Sequence, residues 1–155
     1  MSYFTESRCT ELSVIDYIET NINADWSNIN VVKSFSKAYE VSLPVIAIEL
    51  QNIVSPRKEL GNTNFLNSYL ISINVFSTSD GMRIDLVDYL LSKLKLGCVY
   101  YAFSQTANKE VLSKTADGRV VLEGINSNTK LNFGENIDVK DRYRQSITIS
   151  VHKSH

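Results

Sequence analysis

Cysteine, histidine and glycine are all scarce in this 155-residue chain, and each scarcity removes a class of function. The two cysteines, Cys9 and Cys98, have no Cys or His neighbour at metal-ligand spacing, so no zinc or iron–sulfur site is expected. They read as free, buried thiols in a reducing compartment, with Cys9 before a first helix and Cys98 just after a second. The two histidines, His152 and His155, fall in the last four residues with no nucleophile near in sequence, and read as solvent-exposed tail residues. The six glycines stand singly, so no phosphate-cradling loop is present. No apolar stretch is long and charge-free enough to span a bilayer, and residues 1–9 lack the apolar core of a signal peptide. Charge of one sign is lacking too. Sixteen Lys plus Arg against seventeen Asp plus Glu leave a net charge of −1, which argues against an electrostatic nucleic-acid gripper but leaves open a locally charged lumen.

What is present is the composition of one ordinary globular domain over residues 1–155. A chain this long buries enough surface to fold without metal or disulfide. Leu12, Ile15, Ile18 and Ile22 recur at helical spacing and predict a helix over residues 10–23, with Thr10 or Ser13 at its start. Residues 30–35 read as a short strand. Residues 41–54 read as a longer one, in which Val45, Ala47 and Glu49 alternate with Ile46, Ile48 and Leu50 and Pro44 limits where pairing begins. Residues 68–77 give the clearest alternation, with Tyr69, Ile71, Ile73 and Val75 on one face. Ser79 or Asp80 caps a second helix over residues 79–96, stopped by Gly97, with Ile84, Val87, Leu90, Leu91 and Leu94 as its apolar face. On that reading Leu91→Ala costs about 2–5 kcal/mol. Residues 99–103 form a strand. Asp117-Gly118 predicts a hairpin between residues 111–115 and 119–122, and residues 126–136 a loop. Ile147, Ile149 and Val151 are the inward face of a last strand over residues 143–152. Helices segregate from strand runs, so the fold class is α+β: a mostly antiparallel sheet with two helices packed on one face.

Candidate chemistry is sparse. Asp85 and Asp88 are explained by the positive end of a helix, and Asp138 and Asp141 by a charge network with Arg142 and Arg144. Tyr143 between Arg142 and Arg144 is the one place where an aromatic is flanked by basic residues. It reads as an edge strand guarded by charge, or as a charged lumen. No catalytic residue, cofactor or metal site is expected. The unusual feature is residues 55–65, a long polar connection between two strong strands carrying Arg57, Lys58, Glu59, Leu60, Asn62 and Asn64. Long connections in compact domains are mostly functional or disordered, and this one reads as an extended β-hairpin arm that meets a neighbouring subunit.

The order of elements resembles the tail terminator, or tail completion, proteins of long-tailed phages, a group that includes head–tail joining proteins. The resemblance is carried by the helix around Leu12–Ile22, by Leu43-Pro44-Val45-Ile46-Ala47-Ile48-Glu49-Leu50, by Glu59-Leu60-Gly61, and by the strand at residues 69–76. The helix opened by Arg83, Asp85 and Leu86, and Asp141-Arg142-Tyr143-Arg144 before the closing strand, complete it. It covers nearly the whole chain as a pattern, least well over residues 97–134. The resemblance implies a structural, non-enzymatic virion protein. It would form a homo-oligomeric ring, a hexamer in that family, on the head-proximal end of the tail tube. Its partners would be the tail tube protein, a head-side connector and DNA passing through the lumen without sequence-specific binding. Alternatives are a capsid-side head-completion protein and a small ligand- or RNA-binding α+β module. The absence of metal-ligand spacing carries one expectation: EDTA and dithiothreitol leave the melting temperature unchanged, and a large drop in a thermal scan with either refutes it.

Overall fold

The structure, a computed structural model, describes residues 2–55, 67–105, 111–131 and 141–154. The strands are β1 (Ser2–Tyr3), β2 (Asn30–Lys33), β3 (Val45–Val54), β4 (Ser68–Phe76), β5 (Cys98–Gln105), β6 (Val111–Leu131) and β7 (Arg144–Ser154). The helices are α1 (Glu6–Asp25) and α2 (Asp80–Leu94), with a 3-10 turn at Ser36–Tyr39. One sheet runs in the order β1-β5-β6-β7-β4-β3-β2, antiparallel throughout except for β2 beside β3. This is the expected α+β architecture.

Both helices lie on one face of the sheet. Ile46, Ile48, Ile71, Ile73, Val75, Ile147 and Ile149 turn to that face and are fully buried, against Val14, Ile18 and Ile22 of α1 and Leu86, Leu90 and Leu94 of α2. The alternation predicted for β3, β4 and β7 is what aims these side chains inward. The other face is mostly polar along β4 and β7, where Ser72, Asn74, Ser146, Thr148 and Ser150 lie, and carries an apolar cluster at one corner. There the segment between β2 and β3 folds back, and Ala38, Val45, Ala47 and Phe76 make a second small cluster, with Phe35, Val32, Val41 and Leu43 packed on it. Leu43–Pro44 is cis, and β3 pairs from Val45 onward.

Helix α1 begins earlier than its spacing predicts. Thr5 caps it, its hydroxyl accepting from the Arg8 N–H, so Cys9 lies inside the helix rather than before it. Thr10 and Ser13 are not caps. The Thr10 hydroxyl donates back to the Glu6 carbonyl, and Ser13 reaches β5. Helix α2 is capped by Ser79 as expected, but its buried face is rotated. Arg83 and Leu86 are buried while Ile84 is 46% exposed and Leu91 only half-buried. Arg83 is drawn inward because it donates to Gln145 of β7 and to Asp80 (3.1 Å), and Lys130 of β6 meets the same Asp80 carboxylate at 3.2 Å. These cations, Arg83 first, hold the Asp80 carboxyl below its usual range.

The Asp117-Gly118 hairpin is not formed. Residues 111–131 are one strand, and Asp117-Gly118 is a bulge within it: Tyr101 pairs with Ala116 and Val99 with Arg119, leaving two residues opposite Tyr100. Gly118 has φ +107°, and a Cβ there would stand 2.4 Å from the Ser154 carbonyl, so the bulge needs glycine on both counts. Residues 126–131, expected as loop, pair with β7 from Asn128↔Ile147 to Leu131↔Arg144, and residues 132–136 lie outside the described set. β6 therefore pairs with β5 over its first half and β7 over its second, and the sheet curls where it changes partner.

The rotated α2 face moves the weight of the core from Leu91 to Leu90, which is 1% exposed. Leu90→Ala is expected to cost about 2–5 kcal/mol and Leu91→Ala clearly less, measured by urea melts of the two variants. Equal losses would place α2 in the orientation its spacing suggests instead.

Candidate interaction surfaces

A strand at a sheet rim exposes N–H and C=O groups that water, a covering element or another chain must satisfy. The β5 rim is covered by α1. Ser104 and Gln105 pair with β1, and the Phe103 carbonyl accepts from the Phe4 N–H at 3.0 Å. The Phe103 N–H points to the Cys9 sulfur at 3.4 Å, and the Tyr101 N–H donates to the Ser13 hydroxyl at 3.0 Å. A buried thiol and a buried hydroxyl thus stand in for a further strand.

The opposite rim is β2, four residues long, and among the described residues no strand pairs with its outer side. Lys33 on it reaches back 3.1 Å to Glu11 of α1. That carboxylate is buried and accepts the Leu50 N–H at 2.8 Å, which pins α1 to β3 just before a bulge.

Next to β2, the outer half of β3 leaves the core while Tyr69, its partner on β4, stays fully buried and donates to Glu6 of α1. Gln51 to Val54 are exposed, with Ile53 at 42% and Val54 at 47%, while the pairing continues to Val54↔Ser68. The base of the expected arm is therefore part of the main sheet, since Tyr69 and Leu70 of β4 pair with β3 on one side and with β7 on the other. Residues 56–66 lie outside the described residues, and with them Arg57, Lys58, Glu59, Leu60, Asn62 and Asn64.

The structure separates Arg142 from Arg144. Arg142 is exposed at the entrance to β7. Arg144 is 8% exposed, and β7 lies between β6 and β4, so neither a guarded edge strand nor a solvent-facing charge describes it. Its guanidinium stacks on Phe35 and Phe76, at 4.4 and 4.9 Å from the ring centroids, and donates to Asn74 (3.1 Å) and Asp141 (3.4 Å). Asp141 also accepts from Tyr39 at 2.8 Å. A cation in such a cage stabilises the corner cluster through the ring faces and a paired carboxylate. His152 is likewise not a tail residue. It sits in β7 with its Nδ1 3.0 Å from Glu123, whose other oxygen accepts from the Ser68 hydroxyl at 2.7 Å. The carboxylate is central in that trio, the reverse of a Ser–His–Asp relay, so it builds no nucleophile. Among the described residues no three His, Cys, Asp or Glu side chains gather as a metal site, and no helix is long and apolar enough to cross a membrane.

Sequence reasoning missed a cleft of about 340 Å³ where α1 parts from β5, between Asp16, Tyr17 and Thr20 on one side and Val99, Tyr101, Lys114 and Arg119 on the other. Its residues come from positions far apart in the chain, so no motif marks it. Lys114 joins Asp16 at 3.0 Å and lies 4.5 Å above the Tyr101 ring, and that hydrogen bond raises the lysine pKa. Cys98 lines the floor, and burial pushes its thiol from 9.0 up to about 12 against the opposing pull of Arg119.

No protein-family model matches the chain, and no curated protein matches it in sequence.

The Cys98 shift has a signed consequence. The folded state keeps its proton above 9.0 while the unfolded thiol loses it, so this stabilisation is full below pH 9.0 and fades toward pH 12. Tyr69, raised to about 12 by burial and then by Glu6, acts in the same direction. Thermal melts are expected to show stability falling as pH rises through that window, less steeply in Cys98→Ala. Identical slopes for the two proteins would discount the thiol.

Proposed function

We propose that this chain is a ring-forming structural protein of the tail-terminator kind. On this reading it caps the head-proximal end of a phage tail tube, halts tube growth and presents a surface to the head-side connector, with DNA passing through the lumen. The observation that carries the reading is the unlike treatment of the two sides of the sheet. One rim is largely covered by β1 and α1, while at the other no strand among the described residues pairs with the outer side of β2, beside the end of β3 where Ile53 and Val54 lie in solvent. A closed ring needs two different, complementary surfaces on each subunit, and two unlike rims support that reading. The resemblance in element order supplies the tail context and the expectation of six copies. Near-neutral charge suits a lumen that lets DNA slide rather than bind.

The charged arm residues would set register between subunits more than affinity. Replacing Arg57, Lys58 and Glu59 together by Ser is expected to leave the circular dichroism spectrum intact, reduce ring formation in native mass spectrometry and negative-stain images, and broaden the distribution of tail lengths. Normal rings and normal tails from a folded triple variant would remove the arm from the mechanism. A chain that stays monomeric at high concentration and on isolated tail tubes would remove the ring.

A further inference from the structure

The cover that α1 lays along β5 stops one position short. Phe103 and Tyr101 have their outward backbone groups engaged by Phe4, Cys9 and Ser13. Alternation along the strand turns the N–H and C=O of Val99 to the same rim, because the bulge opposite lies in β6 and leaves β5 regular. There α1 has moved away, and among the described residues no side chain of the helix bonds to Val99. The cleft fills the gap. It combines a bare stretch of strand rim with three charged side chains: Asp16, Lys114 and Arg119, two cations against one carboxylate.

Those charges are arranged unequally. Asp16 is neutralised by Lys114 at 3.0 Å. Arg119 donates one Nη2 bond, 3.0 Å to the Leu96 carbonyl, out of five N–H donors in a planar fork suited to carboxylates. Arg119 stands on β6 opposite Val99, and its side chain lines the same cleft as Val99. The geometry points to a binding site for a short, extended peptide segment bearing an acidic side chain. The peptide backbone adds to the Val99 rim as a further strand, and its carboxylate is held by Arg119 with Lys114 behind it. Strand addition gives affinity through main-chain bonds and takes its specificity from side-chain sites beside the rim. A volume of about 340 Å³ limits the ordered segment to a few residues. A free anion would use Arg119 but leave the rim unpaired, and the Asp16 carboxylate in the wall disfavours a polyanion. This site lies at the other end of the sheet order from the β2 rim, and its existence is independent of the ring reading.

The test uses the full chain, isotopically labelled for amide NMR, titrated with acetyl-Thr-Val-Glu-Val-Thr-amide. The expected result is saturable shifts centred on Val99, Tyr101 and the Arg119 side-chain N–H. Replacing the peptide glutamate by glutamine, or N-methylating its central residues, is expected to weaken binding by about tenfold each, the value of a charge-assisted or main-chain bond. Arg119→Gln in the protein should do the same and remove the difference between the Glu and Gln peptides. If that variant fails to fold, the peptide substitutions on the unaltered protein still decide the matter. Sodium acetate titrated alone should move the Arg119 signal and leave the Val99 amide in place. Equal affinity for the Glu and Gln peptides, insensitivity to N-methylation, acetate reproducing the whole pattern, or no shift at Val99 would each overturn the proposal.

Discussion

Backbone polarity at the rims of the sheet is the constraint from which the rest of the molecule follows. A seven-stranded sheet has two rims, and an N–H or C=O left there without water or a partner costs as much as a lost hydrogen bond. Helix α1 meets this at β5 by lying along it, which fixes the small residues facing that strand. A thiol at Cys9 and a hydroxyl at Ser13 approach closely enough to take backbone N–H groups at 3.4 and 3.0 Å, and a larger side chain would hold the helix off. With α1 so placed, its apolar stripe and that of α2 share one face, and Tyr17 and Tyr89 tie the helices together by donating to the Lys93 and Asn21 carbonyls. The sheet must then curl beneath both helices. The curl is accommodated in β6, which pairs with β5 up to Val120 and with β7 from Arg119 onward, the Gly118 bulge marking the change.

The parts legible in the sequence are those decided by local pattern. β3, β4 and β7 carry strict alternation, and the side chains it assigns inward are buried. The Ser79 cap and the Gly97 stop of α2, where φ is +70°, are equally local. The failures are cases in which a distant partner decides between two local solutions. Asp-Gly suits a two-residue turn and also a glycine bulge. Here β7 reaches Ser154 opposite it, and the chain continues straight. Residues 126–131 are polar because they are exposed, yet they are strand because β7 offers them a ladder along its free side. Ile84 and Leu91 look like core by spacing, but the Arg83–Gln145 hydrogen bond turns the helix so that an arginine takes a buried place.

The interaction surfaces were less legible than the fold, for related reasons. Arg144 reads as a surface charge because its neighbours in sequence are charged. Its neighbours in space are Phe35, Phe76 and Asn74, and only the register Phe76↔Arg144 brings them together. The cleft beside Val99 has no sequence signature at all, since a strand, a helix and both sides of a bulge contribute to it.

The shape of the β2 rim also constrains how the proposed ring could close. Four residues give few outward backbone groups, and Lys33 among them is a residue type that discourages indiscriminate strand pairing. Its ammonium is partly spent on the buried Glu11, so the charge stays at the rim instead of swinging away. Pairing through β2 alone would therefore be weak and poorly registered. The end of β3 beside it supplies what β2 lacks: two exposed apolar side chains at Ile53 and Val54, and a strand held by Glu11 through the Leu50 N–H. Removing the Glu11 carboxylate would loosen the rim and β3 together. In this fold the same buried charge docks α1, holds Lys33 at the rim and anchors β3 just before its bulge.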